Sequence, residues 1–147
     1  MRCILHVEDN EDQANLIRMI LEEGPVPVRV HRVPCGFSAV QFLDTCGGPG
    51  SPDWPDLILL DLNMPKVNGH EMLAAIKADR TLRAIPVIVL TSSDEPSDRQ
   101  LAYSHHASSY LVKPTDPDQL RQMIWDMQTF WGRWNRGPVG TARAVGA

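Results

Sequence analysis

The side chains equipped for chemistry in this 147-residue chain are mostly oxygen donors, and each of them closes an apolar run. Glu8-Asp9 follows Cys3-Ile4-Leu5-His6-Val7, and Asp61 follows Leu57-Ile58-Leu59-Leu60. Thr91-Ser92-Ser93 ends Val87-Ile88-Val89-Leu90, and Lys113 ends Tyr110-Leu111-Val112. In an open α/β sheet the carboxyl ends of the strands form the crevice where ligands collect. Three carboxylates brought to one edge repel one another, which raises a pKa or draws in a cation. No cysteine cluster and no histidine at metal-ligand spacing stands near them, so an all-oxygen set of Glu8, Asp9 and Asp61 implies a hard ion such as magnesium. The backbone carbonyl of Asn63 can complete that set. One oxygen of Asp61 then remains free as a nucleophile, and attack on phosphorus gives an aspartyl phosphate. The cation, the Lys113 ammonium and the hydroxyl and amides of Thr91-Ser92 would neutralise the equatorial oxygens of such a group.

Placing these residues together requires a parallel sheet. Leu57-Ile58-Leu59-Leu60 reads as a strand buried on both faces. Val28 to Val33 alternates as a half-buried strand, and the runs ending at Val7, Thr91 and Val112 supply three more. Helices are expected between them. The first is capped by Asn10 and presents Leu16, Ile17, Ile20 and Leu21; the second presents Ala39, Val40, Phe42 and Leu43. The third runs from His70 to Arg80, the fourth from Glu95 to Tyr103, and the last starts at Asp116 or Pro117 and continues through Phe130 and Trp131. The Gly-Pro-rich stretch from Gly47 to Pro52 is a loop. Strands alternating with helices make a doubly wound α/β unit, a five-stranded parallel sheet with helices on both faces. The flavodoxin-like order 2-1-3-4-5 sets the first and third strands side by side and brings Glu8, Asp9 and Asp61 together.

The set Val7-Glu8-Asp9-Asn10, Leu59-Leu60-Asp61-Leu62-Asn63-Met64-Pro65 with Gly69, Val87-Ile88-Val89-Leu90-Thr91-Ser92 and Tyr110-Leu111-Val112-Lys113-Pro114 resembles the receiver domain of two-component response regulators. The resemblance runs from Arg2 to about Trp131. It implies that Asp61 is the phosphoacceptor, that Glu8 and Asp9 are the magnesium-binding acid pair, that Thr91 turns toward the phosphoryl group with Tyr110 rotating alongside, and that Lys113 is the site lysine. It also implies a cis Lys113-Pro114 bond, a sensor histidine kinase or phosphotransfer protein as phosphoryl donor, and self-catalysed dephosphorylation. Residues 1–131 are expected to form the receiver domain and 132–147 a flexible or interface-associated tail with no effector domain. The long loop from Cys46 to Asp56 and the Phe130-Trp131 pair are similar to small single-domain regulators that serve bacterial phytochrome-type kinases. His105-His106 departs from the family, which often has an acidic residue and a glycine there.

A hydrophobic fraction of 43% and a net charge of −4 describe an ordinary globular protein with no sign of a nucleic-acid partner. Arg133, Arg136 and Arg143 lie in a tail without a carboxylate. Cys3, Cys35 and Cys46 form no CxxC and fit reduced thiols; with no signal-peptide pattern and no membrane-length apolar run, a cytoplasmic protein is expected. His31 and His70 imply no partner. Trp125, Phe130, Trp131 and Trp134 are a heavy aromatic load for one helix end, and exposed aromatic patches mark interaction surfaces. A homodimer through the face formed by the fourth helix, fifth strand and last helix is expected, with Tyr110, Trp125, Trp131 and Trp134 at or beside it. Two other readings compete with a phosphorylated regulator. An adaptor of the same fold would work without phosphorylation. A phosphatase of the haloacid dehalogenase type would need a second acid where Asn63 stands.

Overall fold

The computed structural model describes residues 3–62 and 69–138. Five strands run parallel in the order β2-β1-β3-β4-β5: β1 (Cys3–Val7), β2 (Arg29–Val33), β3 (Leu57–Leu60), β4 (Val87–Thr91) and β5 (Ser109–Val112). Between and after them come α1 (Glu11–Glu22), α2 (Gly36–Thr45), α3 (Gly69–Ala78), α4 (Pro96–Ser104) and α5 (Pro117–Thr129). The expected fold class and strand order are therefore the observed ones. Every residue of β1, β3 and β4 is buried, as central parallel strands covered on both faces should be.

Strand alternation divides the core in two. Leu5, Val7, Ile58, Leu60, Val87 and Val89 face α2, α3 and α4, whereas Ile4, Leu57, Leu59, Ile88 and Leu90 face α1 and α5. The period of two continues past the strand ends and decides which way the polar residues there point. Glu8, Asp61 and Lys113 extend the rows of Ile4, Leu59 and Leu111, on the α1/α5 side. Thr91 extends the row of Val89 on the α4 side, and Tyr110 packs against that same cluster.

Local chemistry sets the helix ends. Asn10 accepts the Gln13 amide at 2.9 Å and Asp116 accepts the Asp118 amide at 3.0 Å, so both caps satisfy an amide that the helix leaves unpaired. The last helix does not continue unchanged through Trp131. It gives way at Phe130 to a π-helical turn, Phe130–Trp134, whose extra residue per turn re-aims the aromatic side chains. His106 adopts a left-handed φ of 68° between α4 and β5, so the turn keeps a conformation that glycine usually occupies.

The expected cis Lys113-Pro114 bond is not found: no peptide bond among the described residues is cis. The trans isomer is intrinsically favoured by about 0.5–1 kcal/mol even before proline. In the trans arrangement the Lys113 amide already donates to the Thr91 carbonyl at 2.8 Å and its ammonium reaches Glu8.

Candidate phosphoryl-transfer site

The parallel ladder carries the acidic residues into place. Val7 pairs with Leu60, the Asp61 amide donates to the Val7 carbonyl at 3.1 Å, and the Glu8 amide donates to the Val33 carbonyl at 3.0 Å. Glu8 and Asp61 are therefore neighbours across two strands, on one face. One carboxylate oxygen each from Glu8, Asp9 and Asp61 lies within 4.8 Å of the others. Glu8 is 1% and Asp61 8% exposed, whereas Asp9 faces solvent, so the cluster has a closed back and an open front.

Lys113 comes from the far edge of the sheet. Its Nζ donates to Glu8 Oε1 at 2.9 Å, an ion pair with both side chains largely shielded. The pair does not control Glu8 alone: burial, followed by the hydrogen bond with Asp61, pushes the Glu8 carboxyl up from 4.5 to about 7, and Lys113 only partly opposes this. A buried carboxyl held near neutrality beside two other acids has the character of a cation site. The three carboxylates fit a small hard ion, which would replace the proton and relieve the crowding.

Arg32 was not singled out from sequence, yet it braces the site from β2. Its Nε donates to the Glu8 carbonyl at 2.9 Å and a terminal nitrogen to the Asp9 carbonyl at 3.1 Å, tying down the backbone of the acid pair. An arginine in an alternating half-buried strand gives no local signal of that role. Gly69, quoted from sequence as part of the motif, has its reason in packing: a Cβ there would lie 2.7 Å from the Asp61 carbonyl oxygen and 2.7 Å from Leu62 Cα. The start of α3 therefore packs directly on the backbone of the Asp61 turn.

Thr91 is fully buried at the end of β4, and its Oγ1 accepts the Ser93 amide at 3.3 Å. The Tyr110 hydroxyl donates to the Ser93 carbonyl at 2.9 Å. Burial raises the Tyr110 phenol above its ordinary value, which keeps it a donor. Asn63, expected to lend a carbonyl to the cation, lies outside the described residues.

Three histidines differ from expectation or extend it. His70 is buried and its Nε2 lies 3.2 Å from Asp98 Oδ1, so it has a partner where none was expected. The His31 ring packs on Phe42 with centroids 5.0 Å apart. His6, inside β1, has an Nδ1 with no hydrogen-bond partner among the described residues, and burial depresses the imidazole to about 3, so it is neutral.

The aromatic residues of the C-terminal segment fall into two groups. Trp125 donates its indole N–H to the Ile20 carbonyl at 2.9 Å, and Trp125 and Trp131 pack against the α1/α5 core. Phe130 and Trp134 are 52% and 70% exposed. Trp125 is thus turned toward α1, away from Tyr110, which lies on the opposite face of the sheet.

Against known proteins, residues 4–125 match the family model of the response regulator receiver domain. A curated relative, the probable methanogenesis regulatory protein FilR2 of Methanothrix harundinacea, is 42% identical over 135 residues, covering 92% of this chain and 86% of its own length. Among solved structures, the phosphorylated cyanobacterial phytochrome response regulator RcpA superposes with a TM-score of 0.84 at 39% identity, covering 93% of this chain and 98% of that one. The manganese-bound form of response regulator Rcp1 does so with a TM-score of 0.83 at 33% identity, covering 95% and 100%.

Proposed function

The chain belongs to the response regulator receiver domain family, and on that premise we propose that it accepts a phosphoryl group from a sensor histidine kinase onto Asp61 and signals through protein contacts. The observation that carries this reading is the convergence of Glu8, Asp9 and Asp61 within 4.8 Å, with Lys113 paired to Glu8 at 2.9 Å. An adaptor that never handles phosphate has no use for a buried, mutually repelling acid cluster braced by lysine and arginine.

A free Asp61 oxygen attacks phosphorus as the bond from phosphorus to the donor imidazole nitrogen breaks, and the electron pair leaves with the imidazole. Glu8, Asp9 and Asp61, with the Asn63 carbonyl, would hold a magnesium ion, which would supply positive charge to the transferring oxygens. Lys113 supplies a fixed positive charge against a phosphoryl oxygen, and the Thr91 hydroxyl donates to another. The new group adds about −1.5 to −2 charges at the crevice. Thr91 and Tyr110 meet at Ser93, so a shift of the Thr91 hydroxyl is felt by the tyrosine at the β5 edge. A bacterial phytochrome is the kinase class that RcpA, a cyanobacterial phytochrome response regulator, suggests, and the cytoplasm is where such a partner would meet it. The exposed α4 side chains Leu101 and Tyr103 support a second copy docking on the α4, β5 and α5 side, and Phe130 and Trp134 are exposed just beyond α5.

The test is intact mass after incubation with acetyl phosphate and magnesium, for the natural protein and Asp61→Asn, with size-exclusion elution on the same samples. One phosphate-sized adduct, absent in the variant, is expected, together with a shift toward the dimer. No adduct under any magnesium condition refutes the phosphoacceptor reading.

A further inference from the structure

Ser93, two residues beyond Thr91, directs each of its polar groups to a different partner. Its amide donates to Thr91 Oγ1 at 3.3 Å, its carbonyl accepts from Tyr110 at 2.9 Å, and its hydroxyl donates to Asp98 Oδ2 at 2.6 Å. Asp98, in the first turn of α4, turns its other oxygen to His70 Nε2 at 3.2 Å. His70 stands at the start of α3, next to Gly69, which rests on the backbone of the Asp61 turn. A chain of contacts thus leads from one wall of the pocket, through α3 and α4, back to the two hydroxyls on the other wall.

Helix capping explains only part of this. The Glu95 amide already meets Ser93 Oγ at 3.3 Å, and that contact alone would order the entry to α4. Reaching across to a buried imidazole on another helix adds nothing to a cap. Holding Asp98 between the Ser93 hydroxyl and His70 keeps its carboxyl below the usual range, so it remains a charged acceptor.

We propose that Asp98 and His70 are positioning residues for the phosphoryl site: they hold Ser93, and through it fix where the Thr91 and Tyr110 hydroxyls sit when a phosphoryl group binds Asp61. The assignment rests on the phosphoacceptor reading. A loop already held in place needs no ordering when the phosphoryl group arrives, whereas a loosened one reduces the apparent affinity by the fraction of time it is correctly placed.

The probe is beryllium fluoride, an unreactive phosphoryl mimic, titrated calorimetrically in saturating magnesium. Asp98→Ala is expected to weaken binding about tenfold, the scale of one lost hydrogen bond to a charged group. Asp98→Asn retains an acceptor for Ser93, but its amide nitrogen cannot accept from a proton-bearing Nε2 of His70 unless the imidazole changes tautomer, so it should bind the mimic more tightly than Asp98→Ala and more weakly than the natural protein. Magnesium affinity without the mimic should not change, because the acid cluster is untouched. In a Ser93→Ala background, Asp98→Ala should have no further effect. Unchanged or tighter binding by Asp98→Ala, or an undiminished penalty in the Ser93→Ala background, overturns the proposal. Failure of the natural protein itself to bind the mimic instead overturns the phosphoacceptor reading on which it rests.

Discussion

Glu8 makes cation binding a proton competition. Burial and the Asp61 hydrogen bond place its carboxyl at about 7, and a divalent ion needs it ionised, so binding must expel a proton. For one competing proton, the apparent affinity is reduced by about elevenfold at pH 6, by about twofold at pH 7 and hardly at all at pH 8, a total change of about tenfold. About half a proton should leave per ion near neutrality. The stability of the metal-free protein has a linked dependence. Its raised carboxyl binds a proton in the folded state that the unfolded chain has lost, so stability falls as pH rises from 4.5 through about 7, and magnesium should remove that fall. Calorimetric magnesium titrations at three pH values, in buffers of different ionisation enthalpy, read both the affinity and the proton count. Glu8→Gln should bind more weakly with little pH dependence. An affinity in the natural protein that is flat from pH 6 to 8, with no proton released, would refute the claim that the buried glutamate stays protonated until the ion arrives.

Two substitutions test the backbone around the site. At His106, whose φ is 68°, glycine should remove a left-handed strain of about 1–2 kcal/mol while adding about 0.4–1 kcal/mol of unfolded-state entropy, a net stabilisation of about 0.5–1 kcal/mol and a few degrees in Tm. His105→Gly, at an ordinary negative φ of −95°, should destabilise, and the same sign from both variants in urea denaturation would show that the backbone argument is wrong. Gly69→Ala places a methyl 2.7 Å from two backbone atoms of the Asp61 turn, which cannot yield as a side-chain tip would. A loss of about 1–3 kcal/mol with weaker magnesium binding is expected, and an unchanged affinity would mean that α3 can move without disturbing Asp61.

The layout of the sheet was legible because strand period, turn residues and crossover handedness all point the same way. The four apolar residues before Asp61 leave no solvated face, which forces that strand into the sheet interior and its final carboxylate into the crevice. Sequence reasoning failed where an interaction joins distant residues without a local pattern. Arg32 looks like any outward residue of an edge strand until its guanidinium is seen on the Glu8 and Asp9 carbonyls. His70 and Asp98 lie 28 residues apart on different helices, and neither position is unusual on its own. The backbone at His106 is a related case, since a histidine in a turn does not announce a positive φ. The Lys113-Pro114 expectation came from resemblance alone, and local peptide geometry had offered no support for it.

The aromatic segment shows how one composition can serve two purposes. The C-terminus of α1 leaves carbonyls that its own helix cannot satisfy. The α5 segment supplies donors to this region: Trp125 to Ile20, Gln128 Nε2 to Leu21 at 2.9 Å and to Val26 at 3.1 Å, and Arg133 to Pro25 at 3.4 Å. Gln128 is fully buried, and its amide occupies the space that a side chain at Gly24 would need. Breaking this seam would strand several buried polar groups at once, so α5 is anchored to α1 along one side. On the other side of the sheet, α4 buries only Ala102 and carries the Asp98 contact to Ser93. Displacing α4 therefore disrupts far less than displacing α5, and on the proposed function a charge placed on Asp61 would act first through Thr91, Ser93 and Tyr110. The π-helical turn leaves Phe130 and Trp134 exposed beyond the anchored seam, where a partner can reach them without α5 having to move.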